Sequence, residues 1–312
     1  MTALACSCRS NKPETGSTPG ARELSNLLGN AQDPRKYWIK VYRDDDGPRF
    51  IDANRVHLNQ AEELEFITGR GSHAPMFDVW IRRNEHIPAV IDTLSEKNYI
   101  DFHAATKHGL VPIGPEPYYL KPKHIKDSVE SFIGLFPKIR VGHMHMESVI
   151  MNARLENLTL GPLSRGINRP NPEIVLGHDF LQPFSFVQFD FVDEVIRLDT
   201  TTPYRPARPN VIAELDFVYG SQGLIVNGAL EHYRGPMAID VAGAYELAIP
   251  YPERPVETQL ILGELVRRKI PVHDSVALGF YANSVPTIGN RLLQDFLVTL
   301  DNKRKKLYLE LP

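Results

Sequence analysis

The chain has 312 residues, 42% of them hydrophobic and 23% charged, with a formal net charge of -3. That balance belongs to a globular body large enough for two modest domains, and it excludes the strongly basic footprint of a nucleic-acid-binding protein. Both cysteines, Cys6 and Cys8, precede residue 9, which removes disulfide, thiol-nucleophile and thiolate-metal chemistry from the body.

The N-terminal stretch up to residue 21 is small and polar and reads as a disordered tether or signal remnant. Its start, "TALAC", has the small residues that precede a lipidated Cys in bacterial lipoproteins, without the basic and long apolar parts that come first. Two expectations stay open: a membrane tether through Cys6 or Cys8 on a periplasmic or outer surface, or a disordered cytoplasmic N-terminus. No later run is long and apolar enough to span a bilayer as a helix.

From residue 37 the runs "YWIKVY", "RFIDANRVHL" and "LEFITG" suit antiparallel strands, and "MFDVWI" followed by "IPAVID" predicts a hairpin turning at Arg82–Glu85. "FHAATKHGL" predicts a short helix stopped at Gly109. "IRVGHMHMESVIMNARLENLTLGPL" predicts two strands around a turn, with His143, His145 and Glu147 spaced to share one strand face. That trio is read as a solvated face, since no fourth metal ligand accompanies it. "EIVLGHDFLQPFSFVQFDFVDEVIRL" predicts an apolar run ending at Gly177, a helical turn and two strands.

"DTTTPYRPARPN" has no apolar periodicity and reads as a linker. The domains are therefore 1–21 tether, 22–200 first lobe with a β-rich extension, 201–210 linker and 211–312 second lobe. After the linker the order of elements repeats. "ELDFVYG", "GLIVNGALEHYRG" and "PMAID" lead into Asp240, as earlier runs lead into Asp92. "VPTIGNRLLQDFLVTLDNKRKKLYLEL" then parallels the segment around Gly177, with its basic run in a solvated turn between two strands.

The duplicated pattern of "AVIDTLS" with "IVLGHDFL", and "MAIDVAGA" with "PTIGNRLL", resembles the aspartic protease superfamily, retropepsin-like and pepsin-like, over roughly residues 75 to 312. The resemblance implies a mostly β fold of two closed lobes with short helices after each hydrophobic-Gly segment. It implies a catalytic pair, Asp92 and Asp240, acting on a peptide or protein substrate without cofactor or metal. It also implies a grip in which the residue after each Asp hydrogen-bonds across the lobe interface, and a role for Asp179 in capping the helix after Gly177.

Departures from that pattern are as informative as the matches. Thr93 keeps the hydroxyl, but Leu94 stands where the family has Gly, which predicts loops pushed apart. In the second lobe Val241 lacks the hydroxyl, and Ala242 stands at the Gly position unless Gly243 serves instead. Ser95 has no base at motif spacing and is no nucleophile. Two functional readings follow: an attenuated aspartic peptidase, or a pseudopeptidase that binds an extended peptide or a partner protein in the interlobe cleft. An envelope protein with no cleft function is a third. Asp92 to Gly177 spans 177 − 92 = 85 residues and Asp240 to Gly289 spans 289 − 240 = 49, so the first lobe is expected to carry the larger insertion, within 110–172.

Overall fold

The structure, a computed structural model, describes residues 20–44, 47–57, 60–67, 74–114, 116–120, 129–155, 172–250, 255–280 and 284–312. Cys6, Cys8 and most of the expected tether lie outside the described residues, as do 121–128 and 156–171 within the expected insertion. Among the described residues no helix is long and apolar enough to cross a membrane.

The described chain begins with helix α1 (Ala21–Gly29), the hairpin β1 (Lys40–Asp44) and β2 (Gly47–Ile51), then β3 (Arg55–Val56) and β4 (Ala61–Glu65). The first lobe follows with β5 (Met76–Arg82), β6 (Glu85–Ile91), β7 (Tyr99–Asp101), α2 (Phe102–Lys107), β8 (Val111–Pro112), β9 (Tyr118–Leu120), β10 (Val129–Val141), β11 (Met144–Arg154), β12 (Ile174–Leu176) and α3 (His178–Leu181). After β13 (Phe186–Asp190) and β14 (Val195–Asp199), β15 (Val211–Gly220) leads into the second lobe. There β16 (Gly223–Leu230), β17 (Tyr233–Ile239), β18 (Leu247–Ile249), β19 (Glu257–Leu262), β20 (Leu265–Asp274), β21 (Thr287–Ile288) and α4 (Asn290–Leu293) precede the closing hairpin β22 (Leu297–Asp301) and β23 (Lys306–Glu310).

Period-2 patterning sets the strands. In β15, Ala213, Leu215 and Phe217 are buried while Glu214, Asp216 and Val218 face solvent. Asp101 starts α2 by accepting from the backbone N–H of His103 and Ala104, and Gly109 at φ 72 follows the helix end.

Each lobe closes on itself. The first runs β11-β7-β12-β6-β5-β10 and closes from β10 back to β11; the second runs β20-β18-β21-β17-β16-β19 and closes from β19 back to β20. The two circuits match strand for strand, including the parallel pairs β12 with β6 and β21 with β17. Both lobes are thus closed β-barrels of six strands, each followed by a one-turn helix.

Between them, β15-β23-β22-β13-β14-β4 form one continuous sheet, so each lobe's closing hairpin lies beside the other's. One apolar core runs through Phe180, Phe184 and Phe189 of the first half into Val298, Leu300 and Leu307 of the second. The largest part of the first lobe's extra length enters between β7 and β10, where α2, β8 and β9 have no counterpart among the described residues of the second.

Two expectations on side chains change. β10 ends at Val141 and Gly142 turns at φ 59, so His143 lies in the turn, off the strand face that carries His145 and Glu147. His143 instead meets Glu62, its Nδ1 3.2 Å from Oε1. Asp179 does not cap its helix: the N-cap is Gly177, with no side-chain cap, and the Asp179 carboxylate lies 3.8 Å from Lys97 Nζ.

Candidate active site

The barrels present one Asp each at the same place. β6 delivers Asp92, whose N–H donates to Leu176 O of β12 at 3.0 Å, and β17 delivers Asp240, whose N–H donates to Ile288 O of β21 at 2.8 Å. Next door, the first N–H of each short helix ties the loop down: His178 donates to Ser95 O at 2.9 Å, and Asn290 to Gly243 O at 2.8 Å. Close approach requires glycine ahead of both helices. A Cβ on Gly177 would lie 2.4 Å from Ser95 O, and one on Gly289 2.1 Å from Tyr245 O.

Both carboxylates are buried, at 2% exposure for Asp92 and 1% for Asp240, and both are held by the same two kinds of donor. Oδ1 of Asp92 accepts from the Leu94 N–H at 2.8 Å, and its Oδ2 from Ser95 Oγ at 2.5 Å. Oδ1 of Asp240 accepts from the N–H groups of Ala242 at 3.0 Å and Gly243 at 2.8 Å, and its Oδ2 from the Tyr245 hydroxyl at 2.6 Å. Ala242 therefore matches Leu94 and Gly243 matches Ser95, with no extra residue in the second loop.

The hydroxyl that Ser95 supplies three residues after its Asp comes in the second lobe from Tyr245, five residues after. Gly243 makes the space for it. A Cβ there would fall 2.2 Å from Asp240 Oδ2 and 2.4 Å from Tyr245 Cε1.

Across the interface, Thr93 Oγ1 donates to Ile239 O at 2.5 Å and accepts from the Val241 N–H at 3.2 Å. Val241 returns no such bond, so the grip is one-sided. Leu94 does not part the loops as its bulk predicts. Its side chain turns to the second lobe and packs with Ala238, Tyr245, Ala248 and Phe280. Room comes from Gly223, at φ 113, where a Cβ would lie 2.8 Å from Leu94 Cδ2 and 2.9 Å from its Cα. The following N–H, of Leu224, donates to Thr93 O at 2.8 Å, and His178 Nε2 lies 2.8 Å from the same oxygen.

Burial first, then the negative charge of Asp92, push the Asp240 carboxyl up to about 7, against the bonds from Tyr245, Ala242 and Gly243 that favour its charged form. Burial and the neighbouring Asp240 charge raise the Tyr245 phenol, which keeps it a donor. Among the described residues no group of three His, Cys, Asp or Glu side chains is placed to hold a metal ion.

All eight residues singled out in the sequence (Asp92, Thr93, Leu94, Ser95, Asp240, Val241, Ala242 and Gly243) fall in these two facing loops. Tyr245, Gly223 and His178 were missed. The first had a signal: Gly243 at the position of Ser95 leaves the second carboxylate without a local hydroxyl, and Tyr245 is the next one along the chain.

No family model matches the chain, and the search of curated proteins gives no match. Among solved structures, the crystal structure of basic 7S globulin from soybean is similar at a TM-score of 0.52 and 9% identity, over 80% of this chain and 95% of that one. At that identity the likeness concerns the fold alone, and with the two closed barrels it makes this a bilobal, pepsin-like architecture.

Proposed function

We propose that the chain is an attenuated peptide hydrolase in which Asp92 and Asp240 share one proton and activate a water. The observation that carries this reading is the pair of buried carboxylates at equivalent barrel positions, one of them pushed up to about 7 partly by the charge of the other. Two carboxylates that cannot both ionise at low cost divide the work: the charged one takes a proton from water, and the protonated one donates to the scissile carbonyl oxygen. N–H and hydroxyl donors fix both carboxylates before substrate arrives, which is what electrostatic preorganisation asks for.

Attenuation rests on Val241. With a hydroxyl on one side only, the loops are held by half the bonds of a symmetric grip, and the relative position of the two carboxylates is less tightly set. The same observation favours a second reading, a pseudopeptidase that holds an extended peptide or a partner protein between the lobes without cleaving it.

Digestion of an unstructured protein across pH separates the two. The expected result is slow cleavage that fades as pH rises through about 7 and falls by roughly a thousandfold or more in both Asp92→Asn and Asp240→Asn. Peptide binding that survives in both variants, with no cleavage by the unaltered chain at any pH, would replace the first reading with the second. Cleavage unchanged in either variant would remove the dyad altogether.

A further inference from the structure

The outer face of the first barrel carries a basic, aromatic-lined concavity away from the two carboxylates, and its reading is independent of the proposed hydrolysis. Strand alternation builds it. Lys138 and Arg140 of β10, His145 of β11, and Trp80 and Arg82 of β5 all point away from the buried Ile139, Met144, Met146 and Val79. Register lines them up: Trp80 pairs with His86 on one side and Arg140 on the other, and Arg140 pairs with His145. With the Arg83 turn and His143 they line a concavity of about 440 Å³. The site sits by the β5–β6 turn, and Asp92 follows the opposite end of β6, about 20 Å away at ~3.3 Å per strand residue.

Charge accounting gives the ligand class. Arg82 is matched by Glu85 at 3.1 Å, and His143 by Glu62 at 3.2 Å. Asp78 faces His86 at 2.9 Å, and Glu147, opposite Lys138 in the register, is engaged by Arg55 and His57, each at 3.4 Å. That leaves three cations around one concavity. Arg83 and Lys138 are exposed, and their side chains form no ion pair or hydrogen bond among the described residues. Arg140 lies over the Trp80 ring, 4.9 Å from its centroid, and that ring is stacked on His86.

In a chain of net charge -3, this concentration of uncompensated positive charge is local and oriented. His145 supplies an independent sign: its Nδ1 is buried at the site with no hydrogen-bond partner among the described residues. Burial, then Lys138, His57 and Arg140, hold its imidazole below the usual range.

We propose that this concavity binds a multivalent oxyanion of the phosphate or sulfate class, held by Arg83, Lys138 and Arg140. An anion there would neutralise Arg83, Lys138 and Arg140 and weaken the charge repulsion that adds to burial in lowering the His145 imidazole.

Titration of the whole chain with inorganic pyrophosphate at low ionic strength, followed by calorimetry and by the His145 ring resonances, tests this. Saturable one-site binding is expected, with the His145 resonances moving toward those of the protonated ring. Arg83→Ala with Lys138→Ala should weaken affinity at least tenfold. Arg208→Ala with Lys306→Ala, in the separate basic groove beside Tyr204, should leave it within about twofold. Equal losses from both pairs would show unspecific charge attraction and overturn the site, as would binding that is not saturable or that leaves the His145 resonances unmoved. Sulfate in a parallel titration distinguishes a site for the shared oxyanion chemistry from one that reads the diphosphate.

Discussion

The loops after Asp92 and Asp240 do one task with different residues. In the first, Ser95 bonds the carboxylate locally, and the bulk of Leu94 is absorbed by the facing lobe at Gly223. In the second, a small residue, Ala242, stands opposite Leu94, Gly243 clears a path, and Tyr245 reaches in from two residues farther on. Both carboxylates nevertheless receive an N–H on Oδ1 and a hydroxyl on Oδ2. The barrel holds constant the backbone donors and the close approach of loop to helix. The identity of the side chain that completes the set is free, provided an opposing position makes room for it.

The strongest way to break this comparison is to fill the close approaches. Gly177→Ala and Gly289→Ala would each press a methyl into backbone, at 2.4 Å from Ser95 O and 2.1 Å from Tyr245 O. Each should cost about 4 kcal/mol or more, or prevent folding. Urea unfolding of both reads the result; tolerance in one lobe alone would show that the lobes are not equivalent there.

Next in size is Leu94. Leu94→Gly looks from sequence like a relief of crowding, yet the side chain fills an apolar cluster of the other lobe. Leu94→Ala should therefore destabilise by about 3 kcal/mol, with Leu94→Gly worse, and any gain in turnover should be outweighed. A stability change near zero would mean that the interlobe packing of Leu94 carries nothing.

Asp240 gives a pH-dependent difference. Its folded carboxyl is raised from 3.8 to about 7. Between those values the folded state holds a proton that the unfolded chain has released, so its contribution to stability falls as pH rises from about 4 to about 7 and is flat above. Asp240→Asn removes that loss and keeps an acceptor for the Ala242 and Gly243 N–H groups. At pH 8 the variant should be more stable than the parent by about 4 kcal/mol, and near pH 4 the two should converge. Thermal unfolding at both pH values decides it; a constant difference would separate Asp240 from the titration.

The smallest effect sharpens the asymmetry of the grip. Val241→Thr restores the missing hydroxyl and should add about 1 kcal/mol, whereas Thr93→Val removes both bonds to Ile239 and Val241. Because the two side chains serve one interface, their effects should not add in a double-mutant cycle. Simple additivity would mean that the two hydroxyls act separately.

The duplication was legible in the sequence because it is written locally. Alternation predicted the hairpin turning at Arg82–Glu85, Gly109 stopped a helix, and the two Gly-then-helix segments repeated with their aromatic and Asp-bearing strands, enough to place Asp92 and Asp240 in matched positions. The local residue types around each Asp were equally visible. Long-range occupancy was not. Nothing within ten residues of Leu94 indicates that Gly223 lies against it, nothing near Asp240 but a missing hydroxyl points to Tyr245, and the spacing of His143 and His145 suggested one strand face until the turn at Gly142 divided them. Periodicity and glycine act through the chain's own backbone over a few residues. Which side chain fills a given space or satisfies a given oxygen depends on contacts between residues far apart in sequence, and only the closing of the two barrels against one another decides those.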